Sequence, residues 1–458
     1  MSDVSELSGG PRDRPLTVLT AVAAPSVEAE LVAGFAEPGL DIRVVRRCVD
    51  LVELVAAAAV GTARAALISA DLRGLDREAL AQLAASGIAV VGLAADEAGE
   101  RLLHQLGAAF VVTTGAPPAQ VAGALHAAAA AGPQLVAVGA SASQTARAHA
   151  LSGAPADPAG PGAVLAVWGP AGAPGRTTVA LGLADAFAVR GLRALLVDAD
   201  PYGGCVATLT GLLDEAPGLL AASRAANAGR LDVARLAECC RTVGSDLRVL
   251  TGLTDARRWP ELRASSLDVV LSLSRWLADV TVIDCGFSLE DDDDLAFDTA
   301  VPRRNAATLE ALRVADRVVA VGSADPVGMS RLIRELPRLH EVLETGDGDG
   351  PEQVLIVANR LREGLLPGGP RSQVEQALAR HASSPLFATL PMDAAAADAA
   401  HGRGELLSEA APVSSLTAAC AALADALIPR PAQTRSGAAR AGWRSTLRGR
   451  HRGRVFER

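Results

Sequence analysis

From residue 15 the chain alternates short apolar runs with longer stretches rich in Ala and Leu. LTVLTAV, DIRVV, AALIS, IAVVGLA and AFVVTT are predicted strands, and the stretches around 26–36, 49–58, 76–85, 97–105 and from about 118 are predicted helices. Five such repeats predict an open, mainly parallel sheet with helices on both faces. Residues 139–162, ending in SGAPADPAGPGA, lose the pattern and gain Ser, Gly and Pro, the composition of a linker. The alternation returns with AVLAVW, RALLVDA, DLRVLTG, VTVIDC, DRVVAVG, QVLIVAN and LFATL, separated mostly by segments long enough for helical or loop crossovers. The expected fold is therefore α/β, two mainly parallel α/β/α sandwich domains at 15–138 and 163–428. A flexible 1–14 precedes them and a basic tail, 429–458, follows.

Composition adds three points. Half of the 458 residues are hydrophobic, enough to fill two or three domain cores. Leu, Val and Ala come mostly in short runs, without the ~20 consecutive apolar residues of a membrane span, and residues 1–15 are polar and partly acidic rather than leader-like, so a cytoplasmic protein is expected. The six cysteines lack metal-ligand spacing and fit reduced thiols, the adjacent Cys239 and Cys240 being expected to pack at a helix end. The net charge of −9 divides unevenly: residues 430–458 hold nine Arg and one Glu, leaving a body of −17. Such an arm suits a solubilising tail, a contact with anionic membrane or an acidic partner, or nucleic acid, and the sequence leaves these open. Trp443 and Leu447 would share a helical face, but Gly449 and Gly453 weaken any helix beyond them. The acidic run Glu290 to Asp294 and the Gly/Asp-rich 345–350 are expected to be exposed loops. All 43 basic residues are arginine; the chain has no lysine.

That absence bears on VLAVWGPAGAPGRTT, residues 164–178, where a strand runs through a glycine-rich loop into the helix former TTVALGLADAFAVRG. Backbone amides from Gly172 to Thr178, with the positive end of the helix, suit a polyphosphate, and the Thr177 hydroxyl suits Mg²⁺. Pro174 has no amide to give. Arg176 stands where a phosphate loop normally carries lysine, and a tight turn without a ligand is the competing reading. Asp198 and Asp200 share one side at the end of RALLVDA, where open α/β sheets bind ligands, and Asp284 ends VTVIDC as a carboxylate for Mg²⁺. Later strand ends deliver Ser323 with Asp325 and Pro326, then Asn359, then Pro391 and Asp393.

With PAGAPGRTT, LLVDADPYGG, VTVIDCG, VLIVANR and TLPMD in this order, the second domain resembles the ParA/MinD family of ATPases. The two-domain layout resembles its CpaE/TadZ branch, which positions pili and polar or septal machinery. The resemblance implies ATP and Mg²⁺ as cofactors and a homodimer sandwiching the nucleotide. Gly172, Gly175, Arg176, Thr177 and Thr178 would hold phosphates; Thr177, Asp198 and Asp284 would hold or arrange Mg²⁺. Asp200 would orient the attacking water, Asn359 would read adenine, and the loop of Pro391 and Asp393 would close over the base. The family's two loop lysines correspond to Arg176 and Ala171, so the charge that reaches across the dimer is missing unless Arg190, Arg224 or another arginine replaces it. Losing such a charge costs on the order of 10²-fold or more in rate. Binding is accordingly expected more firmly than turnover. The alternatives are a non-hydrolysing adaptor on a degenerate nucleotide fold and a DNA-partitioning ATPase. Residues 15–138 resemble a receiver domain whose acidic pair and lysine are gone: strand one leads into Ala21 to Ala24, strand three ends at Ser69, and strand five at Thr113 and Thr114. Asp71 is the nearest carboxylate and a poor phosphoacceptor, so this domain is expected to dock protein partners. A peripheral place at the inner membrane face, pole or septum is the corresponding expectation.

Overall fold

A computed structural model describes residues 15–135, 161–172, 174–212, 216–244, 246–291, 302–344, 353–362, 369–382 and 384–428. The basic tail, nearly all of the expected linker, the 345–350 turn and Asp292 to Asp294 lie outside them.

The first sheet contains β1 (Leu16–Ala21), β2 (Ile42–Arg47), β3 (Ala65–Ser69), β4 (Ala89–Ala94) and β5 (Phe110–Thr113). Its order is β2-β1-β3-β4-β5, with every neighbouring pair parallel. The central β3 is buried at all five positions, which is why AALIS shows no alternation. Helices cover both faces, and Asp50, Asp76 and Asp96 each cap one by accepting from a backbone N–H three residues on. At the end of β3 the Ser69 hydroxyl accepts from the Ala23 amide at 2.9 Å and is buried, whereas Asp71 is exposed.

The second sheet contains β6 (Ala163–Trp168), β7 (Ala194–Ala199), β8 (Arg241–Val243), β9 (Leu247–Leu250), β10 (Val280–Cys285), β11 (Arg317–Ser323), β12 (Gln353–Leu361) and β13 (Leu386–Pro391). The order is β13-β12-β11-β6-β10-β7-β9-β8. All neighbours are parallel except the hairpin pair β8 and β9. All seven expected strands of this domain are present. The eighth, β8, escapes a sequence reading because three residues, RTV, carry no measurable period; pairing with β9 makes it a strand. Two apolar clusters, one on each face, fill the layers between sheet and helices.

Register decides what this sheet presents. Asp284 lies opposite Asp198 on one side and Val167 on the other, so the ends of β6, β10 and β7 are level. The order turns at β6, between β11 and β10, opening a crevice at the carboxyl ends of the strands.

The two layered units touch directly. The Arg77–Ala85 helix lies against the Gly218–Asn227 and Ala264–Leu277 helices. Arg77 is 2% exposed and donates to the Ser265 carbonyl at 2.8 Å, to Asp268 Oδ2 at 3.1 Å and to the Leu106 carbonyl at 3.3 Å. Asn227 Nδ2 donates to Asp76 and Ser265 Oγ donates to Glu78, each at 2.8 Å. Among the described residues no helix is long and apolar enough to cross a membrane.

Candidate functional site

The glycine-rich loop leaves the buried end of β6 at Trp168 and enters the Arg176–Val189 helix. Two glycines give it its shape. Gly172 and Gly175 take φ values of 107° and 92°, left-handed conformations that other residues avoid. Gly175 immediately precedes the helix, and a Cβ there would lie 2.3 Å from Asn359 Nδ2. The loop therefore runs against β12 without room for a side chain. Asn359 Nδ2 also donates to the Pro174 carbonyl at 2.9 Å, while its Oδ1 accepts from the Arg360 amide. The side chain expected to read a base is thus buried, with each polar atom holding a loop or strand group.

Arg176 is equally occupied. Its Nε donates to the Cys285 carbonyl and its Nη1 to the carbonyls of Gly169 and Pro170, all at 3.1 Å. Its Nη2 lies 3.5 Å from Asp200 Oδ2, and the guanidinium sits 6.0 Å from the centre of the Phe287 ring. Asp200 accepts in turn from the Tyr202 and Gly203 amides through Oδ1. The residue expected to neutralise phosphate and the one expected to orient water are therefore partners of each other.

Beneath them are two buried acids. Asp198 accepts from the Val206 amide at 3.1 Å and weakly from the Asp200 amide at 3.4 Å, and burial pushes its carboxyl up to about 7, with the Asp200 charge adding to the rise. Asp284 is 1% exposed, and among the described residues neither carboxylate oxygen has a partner at hydrogen-bond geometry, the Thr177 hydroxyl being a nearby group that only partly offsets its burial. Burial first and the Asp198 charge second raise it well above the usual carboxylate range, and the nearby Thr177 hydroxyl and Arg176 offset this only in part. A buried carboxylate without partners is unfavourable by several kcal/mol at about the scale of an unpaired ion. Mg²⁺ beside Thr177 would relieve it, so the donor set of Thr177, Asp198 and Asp284 fits that ion. Among the described residues no three His, Cys, Asp or Glu are grouped to hold a metal alone, so phosphate oxygens and water would complete the shell.

The remaining expected residues fall in two groups. Thr178 is half-buried in the first turn of the loop helix. Asp325 accepts from the Ser323 hydroxyl and from the Val327 and Gly328 amides, and so caps the Pro326–Glu344 helix. Pro391 ends β13, and Asp393 caps the Ala394–Arg403 helix through the Ala396 amide at 3.1 Å. No hydrogen bond among the described residues joins Pro391 or Asp393 to the loop. Arg190 and Arg224, named as replacement cations, each hold partners within the protomer. Arg190 donates to the Ala424 and Ile428 carbonyls and pairs with Asp425, and Arg224 pairs with Glu261.

Sequence reasoning passed over several neighbours. Tyr202, the only tyrosine, donates to Asn305 Oδ1 at 2.9 Å and stacks 4.7 Å from Phe287. Asn305 in turn donates to Ser288 and to the Glu290 carbonyl. These tie the segments after β7 and β10 to the start of the Ala306–Val314 helix. The uniqueness of Tyr202, two residues after Asp200, was the available signal; Asn305 had none.

The chain is similar in fold to a cell division ATPase MinD from Pyrococcus furiosus, with 19% identity, covering 58% of this chain and 98% of that one, at a TM-score of 0.44. It is also similar to a ParA family ATPase from Chlorobium tepidum, at 17% identity, 58% and 98% coverage and a TM-score of 0.47. A third similar structure, the MinC:MinD cell division protein complex from Aquifex aeolicus, shows 16% identity, 59% and 96% coverage and a TM-score of 0.42. No curated protein matches. Residues 165–405, more than half of the chain, match the family described as the CobQ/CobB/MinD/ParA nucleotide binding domain, and the chain belongs to that family.

Proposed function

We infer that the protein is an ATP-binding positioning factor of the ParA/MinD kind, with slow or no hydrolysis. The observation that carries this reading is the buried, unpartnered Asp284 carboxylate level with Asp198 and beside the Thr177 hydroxyl. A fold kept only as a scaffold has no use for an isolated acid, which a partner or an apolar residue would replace at a gain in stability. Bound Mg²⁺ would neutralise phosphate charge. The chain's own part is to present loop amides from Gly172 to Thr178, to release Arg176 from its carbonyls onto phosphate oxygens, and to hold water on Asp200. Asn359 fixes the loop at Pro174 and would need to free one donor to meet a base. The layout of two α/β domains suits a CpaE/TadZ-like role in placing pilus or septum machinery, with a nucleotide-dependent homodimer as the working form. The first domain, receiver-like with Ser69 where an acceptor acid would stand, would dock protein partners. The basic tail would add a contact to anionic membrane.

Calorimetric titration with Mg·ATP tests the reading. The parent should bind, and a concentration of about 100 times Kd should add about 2.7 kcal/mol to its stability. Gly175→Val should abolish both effects, because a side chain at φ 92° is strained and meets Asn359. Asp200→Ala should keep binding and lose phosphate release. A parent that binds no nucleotide would make the protein an adaptor on this fold. Salt-sensitive DNA binding by the body without its tail would favour the partitioning alternative.

A further inference from the structure

The phosphate loop has a second arginine. Arg331, on the Pro326–Glu344 helix, brings Nη1 to 3.4 Å from the Ala171 carbonyl. It also presses close against the loop, since a Cβ added at Gly172 would be 1.9 Å from that nitrogen. The guanidinium thus covers the outer lip of the loop while Arg176 fills the inner side. A cavity of about 300 Å³ opens beside it, lined by Ala171, Phe287, Glu290, Arg331, Arg334 and Arg338 among others.

The two arginines differ in what they have left to give. Arg176 already serves three carbonyls and Asp200. Among the described residues Arg331 is in no ion pair; its hydrogen bond to Ala171 is long, and the side chain is exposed. The helix beneath it is fixed, because Met329, Leu332, Leu336 and Leu339 are buried and Asp325 caps the first turn. An exposed cation with few bonds of its own is therefore delivered to the loop by a rigid element.

Three acids, Asp198, Asp200 and Asp284, already crowd the inner side, so the added charge of a third phosphate needs a further cation. We propose that Arg331 supplies it in cis, as a specificity residue that makes the site prefer nucleoside triphosphate to diphosphate. This rests on the nucleotide-binding reading above. The fork of a guanidinium suits two phosphate oxygens, and such charge-assisted bonds contribute about tenfold in affinity.

The test compares Mg²⁺ complexes of ADP and of a non-hydrolysable ATP analogue by calorimetry. Arg331→Ala should bind the analogue about tenfold more weakly and ADP about as the parent does. Arg331→Lys should recover part of the loss, since charge survives but the fork does not. Arg371→Ala, on another helix and outside that cavity, should match the parent. An unchanged analogue-to-ADP ratio in Arg331→Ala overturns the assignment alone. A parent that binds neither nucleotide overturns the nucleotide reading and this assignment with it.

Discussion

Asp284 and Arg176 show how far single residues can be read. The sequence placed both correctly at the carboxyl end of the sheet, because strand period and motif order fix where a side chain emerges. Their partners were not legible: Arg176 is clasped by carbonyls from residues 169, 170 and 285, and Asp284 has no hydrogen-bond partner among the described residues. Asp284→Asn should remove the cost of holding a buried acid whose ionisation the fold disfavours, and raise the stability of the nucleotide-free protein at neutral pH by about 1–3 kcal/mol. It should also erase the part of nucleotide stabilisation that depends on Mg²⁺. Urea unfolding with and without Mg·ATP measures both effects, and a variant less stable than the parent would show that the carboxylate has a partner after all.

At the scale of elements, the Pro326–Glu344 helix matters most, because it aims Arg331 at the loop. Its amino end depends on Asp325, whose carboxyl is held below its ordinary pKa first by the Ser323 hydroxyl and then by the Gly328 amide. A carboxylate lowered in the folded state stabilises above its unfolded pKa, and that contribution disappears as pH falls through about 4 and below. Asp325→Ala should therefore cost about 1 kcal/mol at neutral pH and progressively less in acid. Denaturation of parent and variant at several pH values checks this; a difference that grows in acid would contradict it. Asp393 teaches the same lesson from the other direction. Motif order suggested a residue near the base, but its oxygens cap the Ala394–Arg403 helix and accept from Ser415. An aspartate before a helix fits either role, and only its neighbours distinguish them.

For the whole molecule the controlling contact is Arg77. Burial lowers the pKa of its guanidinium while Asp268 pushes back, and Asp268 also pairs with Arg313, which pairs with Glu310. Arg313 and Glu310 lie on the Ala306–Val314 helix, whose preceding Asn305 holds Tyr202. Arg77→Ala should cost about 2–4 kcal/mol by leaving buried carbonyls and Asp268 short of a donor, somewhat less than breaking an isolated buried pair because Arg313 remains. It should also split a shared thermal transition into two, visible by scanning calorimetry. A single transition at the parent's midpoint would show that the interface contributes little.

Local patterning decided the architecture: apolar runs separated by helical stretches admit few folds other than parallel layered sheets, and a glycine-rich turn between a strand and a helix suits a phosphate loop as well as a turn without a ligand. Those signals lie within windows of ten to fifteen residues, where period and backbone preference act. Tertiary structure alone decided which charges meet. Asn359 reaches the loop across 185 positions, Arg331 reaches Ala171 across 160, and Arg77 reaches Asp268 across 191. Such pairs follow from sheet order and helix docking, and no local preference along the chain encodes them.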